Sequence, residues 1–276
     1  MLAHGRSLEL GPRSVIMGIL NVTPDSFSDG GRFRGDVTQA VDAALRLVEE
    51  GADIIDIGGE STRPGATPVS PEEEEARVLP VIEALAQRSD CLLSVDTYRA
   101  TTAEAAVARG AHIVNDVWGA QRDPAIAAVA ARTGAGLCLM HTGRERERLA
   151  DVIEDQVNFL ERLLRIAGEA GVEPGQIVID PGFGFAKDSR ENLELMMRSG
   201  ALHRFSRPLL VGTSRKRFVR ATLDHAAADV DAATAATSVL LRERGAAIFR
   251  VHAVGPTRDA LVLTDAALTA VGSIAR

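Results

Sequence analysis

The sequence predicts an α/β protein built as a (β/α)₈ TIM barrel, and three observations lead there. Short apolar runs alternate with stretches whose apolar residues recur three and four apart. The alternation repeats eight times over about 250 residues, the span of one such barrel. Polar side chains gather at or just past the end of each apolar run, where barrels expose strand ends to ligand.

The strand candidates are, in order, Val15–Leu20, Ile54–Ile57, Leu92–Val95, His112–Val114, Gly136–Met140, Ile177–Ile179, Leu209–Val211 and Ile248–Val251. Helical spacing separates them, as in Val41, Ala44, Leu45 and Val48, or Ile153, Val157, Leu160, Leu164 and Ala167. Ser70-Pro71-Glu72-Glu73 combines an N-cap, a first-turn proline and a capping-box Glu, and so starts a helix that Pro80 should kink or interrupt. The acids Glu72 to Glu75 read as a solvated face that favours the helix N-terminus. No linker, composition shift or repeated motif divides residues 1–276, so a single domain is expected. A doubly wound sheet has the same alternation, because spacing alone does not show closure.

With 276 residues and 46% hydrophobic content the chain can bury a substantial core, and a net charge of -7 argues against a general nucleic-acid surface. The expected partner is a small molecule. No apolar stretch approaches membrane-spanning length and no signal-like segment follows Met1, so a cytoplasmic, membrane-free protein is expected. Cys91 and Cys138 lie singly in strand-like runs and read as reduced core residues.

The polar set past the runs comprises Asn21, Glu60-Ser61-Thr62-Arg63, Asp96, Asn115, His141, Asp180, Ser214-Arg215-Lys216, Arg250 and His252. In a barrel these groups should point into one mouth. Asp96, Asn115 and Asp180 suit a flat nitrogen heterocycle, since a carboxylate accepts paired N–H groups and an amide reads a donor and an acceptor together. Arg63, Arg250 and His252 suit a phosphate. Each has a plainer reading: Asp180 before Pro181-Gly182 as a cap, Asp96 as a turn residue, Asn115 as a cap, and Lys216 as one of a solvated basic cluster. Phe218 and Val219, however, mark a helix starting beside Lys216, and a helix start with added cations attracts anions. No G-x-G-x-x-G or P-loop pattern is present, and the long segment from Asn21 to Gly35, with Phe27, reads as a lid over substrate.

Taken together, these motifs resemble the dihydropteroate synthase family. The resemblance spans about residues 15–256 and rests on Gly18-Ile19-Leu20-Asn21-Val22-Thr23-Pro24-Asp25-Ser26-Phe27-Ser28-Asp29-Gly30-Gly31 and Gly58-Gly59-Glu60-Ser61-Thr62-Arg63-Pro64-Gly65. It continues through Ser94-Val95-Asp96-Thr97, Asn115-Asp116, Met140-His141, Asp180-Pro181-Gly182-Phe183-Gly184-Phe185-Ala186-Lys187, Ser214-Arg215-Lys216-Arg217-Phe218 and Arg250-Val251-His252. It implies a barrel with a deep pterin pocket and a pyrophosphate site above it. By this resemblance Asp96, Asn115, Asp180 and Lys216 hold the pterin, with Met140 and Phe185 among the substrate contacts. Asn21, Arg250 and His252 would hold pyrophosphate and its Mg²⁺, Asn21 being the expected metal ligand. Phe27, Thr62, Arg63 and Pro64 would complete the para-aminobenzoate pocket, its carboxylate meeting the helix start at Arg217.

The implied reaction joins the pterin pyrophosphate to para-aminobenzoate by a dissociative route, in a homodimer. Two places depart from the family pattern. The loop Thr142-Gly143-Arg144-Glu145-Arg146-Glu147-Arg148 is short and charged, and Ala253-Val254 follows His252 where Asp-Val is frequent. Rival readings are a pterin-binding methyltransferase barrel, a Schiff-base aldolase using Lys216, and a non-catalytic pterin-binding paralogue.

Overall fold

Eight parallel strands follow one another around a single sheet in the computed structural model, which describes residues 1–23, 33–61, 67–223 and 229–272. A two-residue hairpin, β1 (Leu2–Ala3) and β2 (Arg6–Ser7), precedes them. The strands are β3 (Val15–Asn21), β4 (Ile54–Gly58), β5 (Leu92–Asp96), β6 (Ile113–Asp116), β7 (Gly136–Met140), β8 (Ile177–Asp180), β9 (Leu210–Val211) and β10 (Ile248–Val251). Their order is β8-β7-β6-β5-β4-β3-β10-β9. A parallel bridge between Ile179 and Leu209, with Ile179 N donating to Pro208 O at 3.1 Å, joins the two ends. The sheet therefore closes on itself, which selects the barrel over the doubly wound alternative.

Every predicted strand is present, and each is followed by helix. The helices are α1 (Phe33–Glu49), α2 (Pro71–Ala86), α3 (Ala100–Val107), α4 (Ala125–Thr133), α5 (Val152–Glu169), α6 (Ser189–Arg198), α7 (Arg217–Thr222), α8 (Val230–Arg242) and α9 (Val254–Ala270). Neighbouring helices pack on one another and α9 returns against β3, completing an outer ring. Outward residues such as Ile55, Leu93, Val114, Leu137, Ile179 and Phe249 are buried between strands and helices. These two-sided burials explain why the strands read as continuous apolar runs.

The interior holds a second core. Val15, Met17, Ile54, Leu92, Ile113, Cys138, Val178, Leu210 and Ile248 contribute from all eight strands to one cluster at the amino ends. Ala3 of β1 joins it, with Met1, Leu8 and Leu10 packed alongside, so the hairpin plugs the barrel floor. Its two-residue strands are too short to carry a periodic signal, and the sequence reading missed them.

Two helix expectations change. Ser70 caps α2, its hydroxyl accepting from Glu73 N at 3.2 Å, but the helix runs through Pro80 without a break. Pro80 lies on the exposed face, where water can take up the carbonyl its missing N–H leaves free. Nor is the whole acidic run solvated, because Glu74 is buried and accepts from Arg99 Nη1 at 2.7 Å and Thr102 Oγ1 at 3.0 Å. Cys91 and Cys138 are free thiols, half-buried and buried respectively.

Candidate active site

Strand alternation decides which side chains enter the barrel. Successive residues point to opposite faces, so those an even number of positions beyond a floor residue also face inward. Asn21 lies four beyond Met17, Asp96 four beyond Leu92, Asn115 two beyond Ile113, Met140 two beyond Cys138, Asp180 two beyond Val178, and Arg250 two beyond Ile248. The same apolar layer that fills the floor thus aims these groups at the carboxyl mouth. Asp56, two beyond Ile54, obeys the rule as well and was not singled out in the sequence reading.

Asp56 is fully buried and organises the centre. Its Oδ2 accepts from Arg250 Nε at 2.6 Å and from Asn115 Nδ2 at 3.0 Å. Arg250 Nη2 donates to Asp96 Oδ2 at 2.6 Å, so one guanidinium is shared by two carboxyl groups. Burial opposes the Arg250 charge, but Asp56 and Asp96 outweigh it and raise its pKa further. Burial also raises the Asp96 pKa well above the carboxylate range, with Arg250 opposing and Asp56 reinforcing that rise. Asp56 Oδ1 is buried with no hydrogen-bond partner among the described residues, an acceptor with capacity to spare.

Asp180 closes the opposite side. Its Oδ1 accepts from Gly182 N at 2.7 Å, and burial pushes its carboxyl up to about 6 despite Lys216, Arg250 and Lys187 nearby. Gly182 has φ 65°, and a Cβ there would lie 1.9 Å from His141 O, so only glycine permits this turn. Lys216 turns inward as the N-cap residue of α7, with Nζ 4.1 Å from the Phe185 ring centroid. Desolvation lowers its pKa to about 8, with Arg250 adding to the fall and Asp180 resisting it. Of its neighbours, Arg217 is exposed and Arg215 pairs with Asp231 at 2.7 Å. The basic cluster therefore divides into one inward lysine and two outward arginines.

Met140, Phe185, Val117 and Trp118 form a small apolar wall, with Tyr98 alongside. Arginines line its outer edge: Arg144 sits 4.7 Å from the Phe185 centroid, and Arg122 sits 4.7 Å from Trp118 and 5.0 Å from Tyr98. His252 Nδ1 is 2.9 Å from Ser214 Oγ, while that oxygen also accepts from His252 N at 3.2 Å. With the hydroxyl proton directed at Nδ1, Nε2–H is left as a donor. Burial lowers the His252 pKa to about 4, helped by Arg215 and Arg250, so the ring is neutral near pH 7. Asn21 is exposed at the end of β3.

The mouth thus gathers Asp96, Asn115, Met140, Asp180, Phe185, Lys216, Arg250 and, at its rim, His252. Phe27, Thr62, Arg63 and Pro64 lie outside the described residues. His141 belongs elsewhere: it stands at odd spacing from Cys138, is fully buried, and faces α5, where Nε2 meets Asp155 Oδ2 at 2.9 Å. A further network unread in the sequence joins Arg99 to Glu60 at 2.8 Å and to Glu74 at 2.7 Å. No group of three or more His, Cys, Asp or Glu side chains that could hold a metal ion occurs among the described residues.

Fold and site define a barrel protein with a buried polar centre at the carboxyl mouth beside an apolar wall. A family model described as pterin binding enzyme matches residues 17–252. The chain is 44% identical to the dihydropteroate synthase of Bacillus subtilis over 260 residues, covering 94% of this chain and 90% of that one. A solved structure of the Clostridium difficile dihydropteroate synthase in the presence of pteroic acid superposes with a TM-score of 0.90 at 42% identity, covering 95% and 99% of the two chains. The Xanthomonas albilineans enzyme with 4-aminobenzoic acid gives 0.85 at 41% identity, covering 95% and 94%. This chain belongs to the family of pterin-binding enzymes, on the side of the dihydropteroate synthases, transferases of folate synthesis.

Proposed function

We propose that this protein condenses 6-hydroxymethyl-7,8-dihydropterin pyrophosphate with para-aminobenzoate, giving 7,8-dihydropteroate and pyrophosphate. The observation that carries the reading is the inward convergence of Asp96, Asn115, Asp180, Lys216 and Arg250 beside Met140 and Phe185. Relatives of known structure with pteroic acid and with 4-aminobenzoic acid support the pteroate framework of the product and its aminobenzoate half.

In the proposed order the methylene C–O bond breaks first, its electron pair leaving with pyrophosphate. The amine nitrogen lone pair then forms the C–N bond and the nitrogen loses a proton. Asp96 and Asp180 favour the cation developing beside the pterin, an effect enlarged by their burial. Asn115 fixes the ring, Met140 and Phe185 pack against it, and Lys216 donates to its polar edge. Arg250 and the free N–H of His252 receive the leaving oxygens. Since Arg250 already bonds Asp96, it couples departure of pyrophosphate to a carboxylate that faces the cation. Phe27, Thr62, Arg63, Pro64 and the helix start at Arg217 would frame the aminobenzoate.

Asn21 offers one hard amide oxygen at a strand end, a donor suited to Mg²⁺, which keeps few protein ligands and takes the rest from phosphates and water. Bound there, Mg²⁺ would supply Lewis-acid stabilisation of the leaving charge. We propose a homodimer as well, with the exposed Leu240 of α8 and Val262 and Leu263 of α9 as its apolar face, and a cytoplasmic location. No helix among the described residues is long and apolar enough to cross a membrane.

The deciding assay supplies purified protein with the pterin pyrophosphate and Mg²⁺, with and without para-aminobenzoate, and follows pyrophosphate and pteroate. Pteroate that requires the amine is expected, as is competitive inhibition by sulfonamides, relieved by excess para-aminobenzoate. Pterin binding without product would contradict the synthase and favour a non-catalytic paralogue.

A further inference from the structure

Behind the mouth lies a second cluster of charged groups that the proposed chemistry does not use. It runs from Asp155 on α5, through His141 at the end of β7, to Lys187 in the loop after β8. Lys187 Nζ donates to Gly182 O at 2.8 Å and to Phe185 O at 3.4 Å, and meets His141 Nδ1 at 3.0 Å. His141 Nε2 lies 2.9 Å from both Asp155 Oδ2 and Arg146 Nη2; the tautomer with its proton on Nε2, directed at Asp155, leaves the Nδ1 lone pair for Lys187. Asp155 is itself held by both ends of Arg146, at 2.8 and 2.6 Å, and by Leu149 N at 2.9 Å.

The far end of this chain of contacts is the turn bearing Asp180. His141 N donates to Asp180 O at 2.8 Å, Gln156 Nε2 to Pro181 O at 2.9 Å, and Gly182 N to Asp180 Oδ1 at 2.7 Å. The lysine thus ties together the carbonyls of the turn whose carboxylate faces the mouth.

We propose that Lys187 is a positioning residue: its ammonium, seated on His141 and on the Gly182 and Phe185 carbonyls, fixes the Asp180 turn and holds Asp180 ionised for the pterin. This rests on the reading of Asp180 as a pterin anchor. The charged and titratable groups facing Lys187 are Asp180, Asp155, His141, Arg146 and Arg148. Those facing Asp180 are Lys216, Arg250 and Lys187, together with the Gly182 N–H. Burial brings the lysine down to about 7 and the aspartate up to about 6, so the two titrate in adjacent ranges and each biases the other. The sign follows. A protonated Lys187 lowers the Asp180 pKa; removing that charge raises it, and the difference fades once the wild-type lysine is itself neutral.

The test is a ligand-free ¹³C NMR titration of the Asp180 carboxyl, assigned with Asp180→Asn, in wild type and Lys187→Met. We expect the midpoint to rise by about half to one pH unit in the variant, equivalent to about three- to tenfold in the ionised fraction on the acid side. By linkage, Asp180→Asn should lower the Lys187 midpoint by a matching amount, a measurement that does not depend on Lys187→Met folding well. Affinity for pteroic acid should fall about three- to tenfold at pH 6 in Lys187→Met and approach wild type above pH 8. Lys187→Arg, which keeps the charge, should restore wild-type affinity on the acid side. Unmoved midpoints, or an affinity loss constant across pH, would overturn the proposal. Failure of wild type to bind pteroic acid would overturn the proposed function, while the ligand-free titration would still decide the coupling.

Discussion

The two ends of the barrel are made from the same strands and differ in almost every physical respect. At the floor, alternate residues are Val15, Met17, Ile54, Leu92, Ile113, Cys138, Val178, Leu210 and Ile248, sealed by the N-terminal hairpin. Two or four residues further along, the inward positions are Asn21, Asp56, Asp96, Asn115, Met140, Asp180 and Arg250. Floor residues gain stability by burial. Mouth residues spend it, because desolvation raises Asp96 and Asp180 and lowers Lys216 toward their neutral forms. One sheet therefore separates the requirements of folding and of chemistry by two residues of strand.

The sharpest way to break this division is at Arg250. Arg250→Met leaves Asp56 and Asp96 without their shared cation, and we expect stability to fall by about 3–5 kcal/mol. Turnover should drop at least about 100-fold, since a donor to the leaving charge is lost. Denaturant unfolding and steady-state kinetics would read both. Met17→Ala at the floor should cost about 2–5 kcal/mol of stability. Its KM for either substrate should stay unchanged; a shifted KM would show that the floor and mouth are not separable. Asp180→Ala should weaken pterin binding by about 1.5–3 kcal/mol, the worth of hydrogen bonds to a charged group, as measured by calorimetry. Unaltered affinity would remove Asp180 from the site. At the rim, Arg215→Ala breaks only the exposed pair with Asp231, and a loss of about 0.2–1 kcal/mol is the most to expect.

His112 near the floor and Asp180 at the mouth also answer acid in opposite directions. His112, near the floor, accepts from Leu93 N at 3.1 Å, and burial lowers its pKa to about 4. Its contribution to stability is present above the unfolded value near 6.5 and is lost as pH falls toward 4. Asp180 at the mouth, and Asp116 on the outward side of the same end, are raised by burial to about 6 from an ordinary 3.8, so the folded state holds their protons longer. Their contribution is greatest in acid and is lost as pH climbs from about 4 to about 6. His112→Gln should reduce the first slope in a stability-pH profile, which His141 and His252 share, and leave the second in place.

How much of this was legible beforehand follows from the same alternation. The strands were readable because parallel strands covered on both faces become apolar runs, and the inward set because it falls at the ends of those runs. Asp56 escaped because it interrupts Ile54-Ile55-Asp56-Ile57 inside the run rather than following it, though its parity with Ile54 was a usable signal. His141 was misplaced for the converse reason: it follows β7 directly, but on the outward parity. Glu74 and Arg99, 25 residues apart, and His141 and Lys187, 46 apart, meet only through the fold, and no local pattern announces such pairs. The short strands β1 and β2 lack the length for any period to show.

The most direct test of the division between floor and mouth is Asp180→Asn, which keeps an oxygen for Gly182 N and removes only the charge. We expect unfolding at pH 7 to show a gain of about 1–2 kcal/mol, part of the roughly 3 kcal/mol that a two-unit pKa elevation represents, while pteroic acid affinity falls. A variant that loses stability, or one that gains it and still binds pteroic acid as tightly as wild type, would contradict the claim that the mouth gives up stability to hold its ligand.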